Sequence, residues 1–329
     1  CALADQAPRT PAPDIFAEYV ADSRRRTDSS PVLKYWRQQS QTLEALDFPL
    51  PAAEPPAAQR IERSLRLDHA HWQRIGAFCA EHRITPALYF KALYGLLIQA
   101  YCRSEADFYL SEVIGGRTGP HRRSLGNYFQ VLPVVFPQRL FSPQTRLTEL
   151  LQHLRSYRKS VRANSQISLL AQRRLLPQGR LNFMFNYYNF IPSMNLFGKP
   201  MQLKAYPQVQ DGPVQFVVHE QDGWVELNLM YLSDRFADLS FLQRMEQISE
   251  AVLEGAERIA DLELRLPAEQ TGFGELLGAD TALPWPTVLH GFQHQVVANP
   301  AAVAVRQGSR QLSYGELDQQ SSALAGWLQ

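Results

Sequence analysis

Residues 85–115, TPALYFKALYGLLIQAYCRSEADFYLSEVIG, set a helix with apolar side chains on nearly every face directly before a strand. Thr85 can cap that helix, and Pro86 suits its first position, where a missing N–H costs nothing. A helix without a polar face has no surface to lie on, so it belongs at the centre of the fold. The strand ends in a Gly-rich loop, GGRTGPHRRS, and YFQVLPVVF reads as a second strand.

Working back from this centre, DHAHWQRIGAFCAEHR reads as a helix and RIERSLRL alternates as an edge strand does. FPLPAAEPP is too rich in proline to be helical inside. LKYWRQQSQTLEAL reads as a short helix, and DIFAEYVADSRRR as another with Asp14 as its cap and Arg24 to Arg26 near the negative end of its dipole. Working forward, Leu147, Leu150, Leu151, Leu154 and Val161 share one face of a helix whose other face carries Arg155, Arg158, Lys159 and Arg162. Such a basic stripe reads as solvated surface. LNFMFNYYNF, QFVVHEQ and WVELNLMYL are strands by their aromatic and β-branched content, and SFLQRMEQISEAVLEG is a helix, with Asp238 as its cap and Gly255 to end it. Helices and strands mix without strict βαβ alternation, which predicts an α+β layered fold with a mixed sheet. From Leu262 to Pro286 periodicity is lost and Gly and Pro gather, the composition of an interdomain linker. A helix, a short strand and a further helix follow, too little chain for a domain.

Bulk composition narrows the function classes. The 329 residues are 45% hydrophobic, and 33 Lys and Arg against 32 Asp and Glu leave a formal charge of +1, so no global field favours nucleic acid or an anionic membrane. Cys1, Cys79 and Cys102 include no CxxC pair, which fits a reducing cytosol and no zinc site. No stretch reaches the roughly 18 apolar residues of a membrane span, so a cytoplasmic location is expected. The opening CALADQAPRTPAP reads as a cut inside a longer polypeptide.

Local motifs carry little chemistry by themselves. His290 and His294 lie one helical turn apart but have no third ligand nearby, which makes them a surface or capping pair. His219 and Asp222 in VVHEQDGW invite comparison with an acyltransferase histidine motif, yet the strand that follows makes Asp222 and Gly223 an ordinary hairpin turn. GGRTG matches neither dinucleotide nor P-loop patterns, and no GxSxG or Cys–His arrangement is present.

Order and spacing do carry a signal. IFAEY and KYWRQQ resemble the YxDYAxW and YW segments of condensation domains from nonribosomal peptide synthetases. SEVIGGRTGPHRRSLGNYFQVLPVVF resembles the run from a strand ending in Arg to IGxFVNTLPLR, and LNFMFNYYNF resembles the MFxxQN strand. VELNLMYLSDRFADLSFLQRM is similar to the strand, LFD and closing helix of that family. LHGFQHQVVANPAAVAVRQGSRQLSYGELDQQSSALAGWL is similar to the opening of adenylation domains.

The resemblance implies a chloramphenicol-acetyltransferase-like lobe over residues 1–261, an interdomain linker over 262–287 and the beginning of an adenylation domain over 288–329. It implies amide-bond formation between a carrier-bound acyl or peptidyl donor and an aminoacyl acceptor, on phosphopantetheine arms carried by partner domains, with no cofactor or metal held by this chain. Partners would be the preceding lobe, upstream and downstream carrier proteins and the adenylation domain, with neither nucleic acid nor membrane. The sequence contains no HHxxxDG, so this lobe is expected to lack a catalytic residue and to be inactive alone. Gln130 stands where the family has the Asn of FVNT, Val131 follows in place of Thr, and NSQISLLAQ replaces the PFE segment. Asn127, Gln130, Asn186 and Asn189 are candidates to line the substrate tunnel, by hydrogen bonds to thioester or pantetheine amides, or else amides that cap turns. Arg117 is a candidate to pair with a carboxylate of the other lobe, or else a solvated loop cation, and His121, Arg122 and Arg123 make a basic spot that suits an acidic carrier, or else plain soluble surface. The alternative is a noncatalytic platform packing against the adenylation domain.

Overall fold

The computed structural model describes residues 15–46, 48, 59–115, 121, 124, 126–177, 182–189, 194–196, 199–201, 214–221, 223–233, 236, 240–269, 284–308 and 310–328. The chain divides into two compact units, 1–266 and 267–329.

The first unit is built on a six-stranded mixed sheet. Its strands are β1 (Arg60–Leu67), β2 (Phe108–Gly115), β3 (Phe129–Phe136), β4 (Phe183–Tyr188), β7 (Val214–Gln221) and β8 (Trp224–Leu232), with the short pair β5 (Met194–Leu196) and β6 (Lys199–Met201) outside it. The spatial order is β1-β8-β7-β4-β2-β3, in which β4 runs parallel to both β2 and β7 and the other pairings are antiparallel. RIERSLRL is an edge strand, as its alternation predicts. At the opposite edge, carbonyls of β3 that would otherwise stay unpaired are met by side chains: Gln172 Nε2 donates to Val131 O at 2.9 Å, and His153 Nε2 lies 3.4 Å from Val135 O.

Helices α3 (His69–Glu81), α4 (Pro86–Cys102), α5 (Leu147–Ala163) and α7 (Phe241–Leu253) build the helical layer, and α4 is its centre. Thr85 caps α4 by accepting from Leu88 N at 3.3 Å, and eleven of its residues are buried, because helices flank it and the sheet lies beneath. At Gly95 the helix passes so close to the sheet that a Cβ there would overlap the Phe136 ring. Tyr94, fully buried, packs among Phe216, Phe185 and Phe241 and satisfies its hydroxyl on Val214 O at 3.0 Å.

Helices α1 (Ile15–Arg26), α2 (Ser30–Gln39) and α6 (Leu169–Leu175) extend this core. Trp36 of α2 is fully buried and donates to Asn164 O at 2.9 Å. Phe16 of α1 lies on Gly126, where φ is +149 and no side chain fits, while Tyr19 packs on Tyr128. The helix expected over LKYWRQQSQTLEAL is shorter, since α2 stops at Gln39 and a single 3₁₀ turn takes Ser40–Thr42. Asp14 and Asp238 lie outside the described residues; α7 starts after Ser240, which sits at φ 60 and makes no side-chain cap bond.

The first residues of the stretch read as a linker are held against α7. Arg244 Nη1 donates to Leu264 O, and Gln247 Nε2 donates to Arg265 O at 3.0 Å. The second unit contains α8 (Val288–Ala298), the hairpin β9 (Val303–Gln307) and β10 (Arg310–Ser313), and α9 (Tyr314–Leu328). The short strand β10 was not expected. Among the described residues of this unit no side chain is buried, and Val288 and Trp327 are 88% and 81% exposed.

Candidate functional site

Strand alternation assigns each residue of the sheet to a face. Phe108, Leu110 and Glu112 of β2 point to the helical layer, as do Phe183, Phe185 and Tyr187 of β4 and Val214, Phe216 and Val218 of β7, by their register and burial. The opposite face carries Asn186 and Tyr188 of β4, His219 of β7, Glu226 of β8 and Arg66 of β1. Four of these form one row across the sheet, because Tyr188 is the register partner of His219, His219 of Glu226, and Glu226 of Arg66. The His219 imidazole stacks on the Tyr188 ring at 5.0 Å and 22°, and Asn186 Nδ2 donates to the Tyr188 hydroxyl at 2.7 Å. Burial lowers the His219 pKa, with Glu226 opposing that shift. Arg66 lies 4.1 Å above the Trp224 ring, a cation–π contact.

The sequence candidates do not converge on one wall. Asn186 lies on the face opposite the helical layer, whereas Gln130 pairs with Ile114 and falls on the face toward the helices, so these two lie on different faces of the sheet. Asn127 closes a turn, its Oδ1 accepting from Phe129 N at 3.2 Å, and Asn189 is exposed just past β4. Arg117, Arg122 and Arg123 lie outside the described residues. His121 packs edge-on to Tyr19 at 5.3 Å and beside Tyr128. His219 sits within β7 and the chain turns back at Gly223, where φ is +87, as a two-residue hairpin requires. His290 faces Thr287 Oγ1 at 2.7 Å, and His294 packs on Trp285 at 5.4 Å.

Two polar clusters were missed by the sequence reading. His71 Nε2 lies 2.8 Å from Ser249 Oγ, and His71 Nδ1 lies 2.9 Å from Glu250 Oε1, the spacing of a Ser–His–Glu triad. Access decides against catalysis there. Ser249 is 0% exposed, its Oγ also bonds the Tyr89 hydroxyl at 2.9 Å, and Arg74 holds Glu250 at 2.6 Å, so the chain of bonds ties α3 and α4 to α7. The second cluster is Lys91, whose Nζ meets Glu112 Oε1 at 2.5 Å inside the helical layer. Lys91 is the one charged residue of α4, and a lone charge in an apolar helix was the available signal that a partner awaited it.

A family model for the condensation domain matches residues 2–270. The chain belongs to the condensation-domain family. It is 24% identical over 319 residues to nonribosomal peptide synthetase dtxS1 of Metarhizium robertsii, covering 90% of this chain and 4% of that protein. It is 24% identical over 339 residues to cyclosporin synthetase simA of Tolypocladium inflatum, covering 95% of this chain and 2% of the relative. The chain therefore spans a small fraction of the curated relatives it matches. Among solved structures, the condensation domain of the monacolin K polyketide synthase MokA superposes with a TM-score of 0.61 at 18% identity, over 76% of this chain and 62% of that one. The nonribosomal peptide synthetase FmoA3 superposes over 99% of this chain and 37% of its own with a TM-score of 0.61 at 17% identity. The fold is thus that of condensation domains, a mixed sheet with helices, and the chain is homologous to the amide-bond-forming domains of nonribosomal peptide synthetases. No described helix is long and apolar enough to cross a membrane.

Proposed function

We propose that this chain supplies the C-terminal lobe of a condensation domain over residues 1–261, an interdomain linker over 262–287 and the first residues of an adenylation domain over 288–329. The observation that supports the condensation part of this reading is the family match over residues 2–270, together with a superposition that accounts for 62% of the MokA domain; the adenylation part rests on the sequence resemblance of residues 289–328. The remainder of such a domain is where the HHxxxDG histidine would lie. In the completed domain that histidine positions or deprotonates the acceptor amine, while this lobe supplies walls, polar contacts and a dry environment for the developing oxyanion. The substrates are carried on phosphopantetheine arms of partner carrier domains, which meet the basic spot at His121, Arg122 and Arg123. Arg117 pairs with a carboxylate of the preceding lobe. Residues 288–329 hold no phosphate loop and do not bind ATP, because the nucleotide site of an adenylation domain is built from later sequence.

The test is mass spectrometry of the product on the acceptor carrier, with this chain alone and with the preceding lobe added in cis or as a separate polypeptide. The expected result is product only when both lobes are present. Comparable product from the chain alone would place the catalytic group elsewhere, and no product with the native preceding lobe would favour a noncatalytic platform.

A further inference from the structure

The sheet face opposite the helical layer brings together three groups that suit one kind of ligand. Glu226 offers a carboxylate. His219 stands beside it as the antiparallel register partner, at the Cβ separation of roughly 5 Å that direct cross-strand pairs have. Tyr188, on the next strand, stacks on His219 at 5.0 Å and is 41% exposed, so its ring remains reachable. Among the described residues neither imidazole nitrogen of His219 has a hydrogen-bond partner, and Glu226 is in no salt bridge, while its register partner Arg66 lies over the Trp224 ring. An unpaired carboxylate, an unpaired ring nitrogen and an aromatic face are the complement of a primary ammonium: a counter-charge, a hydrogen-bond acceptor and a π surface.

We infer that Tyr188, His219 and Glu226 form a binding site for a primary ammonium group, the α-amine of an aminoacyl acceptor. The choice of an aminoacyl acceptor rests on the condensation reading; the ammonium chemistry does not. The half-buried imidazole, held below its ordinary pKa by burial, is neutral at pH 7 and accepts a hydrogen bond, whereas an α-amine with a pKa of about 8 is mostly charged there. Asn186 serves as a positioning residue, because its Nδ2 fixes the Tyr188 hydroxyl at 2.7 Å and so sets the ring against His219.

The test separates this site from the condensation reading. In the full 329-residue chain, the His219 ring resonance is identified among the eight histidines by its loss in His219→Gln and followed while glycinamide or the uncharged N-acetylglycinamide is added at pH 7. Glycinamide is expected to shift it saturably in the millimolar range, N-acetylglycinamide is not, and Glu226→Gln is expected to weaken the glycinamide response about tenfold, the loss of one charge-assisted hydrogen bond. Equal responses to both probes, or a glycinamide response unchanged in Glu226→Gln, would overturn the site. In the reconstituted two-lobe domain, Glu226→Gln should raise the acceptor KM several-fold with kcat little changed. An unchanged KM in an active domain removes the acceptor role and leaves the condensation reading standing. An inactive wild-type domain removes the condensation reading, and the resonance titration then judges the ammonium site by itself.

Discussion

Replacing Lys91 by methionine should destabilise the first unit far more than the loss of one contact would suggest. The ammonium lies 2.5 Å from Glu112 Oε1, with side chains only 7% and 16% exposed and the Phe185 ring 5.7 Å away. Removing one member of a buried pair leaves the other charge without compensation, at a cost of about 3–5 kcal/mol. The partial exposure of Glu112 lets water reach its carboxylate, which puts the expected loss near the lower bound, about 3 kcal/mol. For a unit of this size that is a fall in Tm of about 6–12 °C. The double variant Lys91→Met with Glu112→Leu removes both charges and keeps volume, and should return to within about 1 kcal/mol of the parent or exceed it. Calorimetric melting of the parent, both single variants and the double variant provides the cycle. A single variant as stable as the parent, or a double variant as unstable as the sum of the singles, would refute the coupling. The pH dependence supplies a second check. Burial is the largest influence on Lys91 and holds its folded pKa below the unfolded 10.5, with Glu112 opposing and Arg158 adding to the depression. Between those two values the unfolded chain binds more protons than the folded one, so stability should rise with pH toward 10.5, and Lys91→Met should abolish that rise.

Gly95→Ala should cost about 1–3 kcal/mol, because its new methyl overlaps the Phe136 ring and α4 must shift to admit it; a melting curve identical to the parent would mean that the helix moves freely at this contact. Ser249→Ala should cost about 1–3 kcal/mol by leaving His71 and the Tyr89 hydroxyl without their shared partner, and a fluorophosphonate probe should not label Ser249 in the folded protein; labelling there would show that the buried serine is reachable and reopen a hydrolytic role.

Elements whose signal is local were legible in the sequence. The cap at Thr85 and Pro86, the alternation of RIERSLRL, the apolar stripe of α5 and the hairpin at Gly223 depend on a few adjacent residues, and all take the expected form. Helix α6 was not expected because it has only seven residues and exposes Leu169 and Leu170 at 61% and 59%, the reverse of an amphipathic pattern. Sheet order was not legible, since a parallel β4 between β2 and β7 is settled by contacts across dozens of residues. The consequences reach the site. The hairpin pattern around His219 describes its backbone but says nothing of its neighbours. Only the register of β4 on β7 brings Tyr188 to it, and only the hairpin register adds Glu226. Gln130 and Asn186 both lie on strands with family resemblance, and the pleat places them on opposite faces.

The two histidine clusters show why spacing alone cannot assign chemistry. His71, Ser249 and Glu250 have hydrogen-bond distances that an active site would need, yet both His71 nitrogens and the Ser249 hydroxyl are already bonded and the serine is 0% exposed. A satisfied network of this kind lowers the energy of one packed arrangement of α3, α4 and α7, and opening it to a substrate would forfeit that energy before any bond was made. His219 has the opposite character. Its ring nitrogens and the neighbouring Glu226 carboxylate have hydrogen-bonding capacity that no described residue meets, on the sheet face opposite the helical layer, where Tyr188 is 41% exposed. Unspent capacity at a reachable position is what a ligand can use. On the proposed condensation reading, that capacity suits holding the acceptor amine rather than activating it, because a neutral imidazole flanked by a carboxylate can anchor an ammonium.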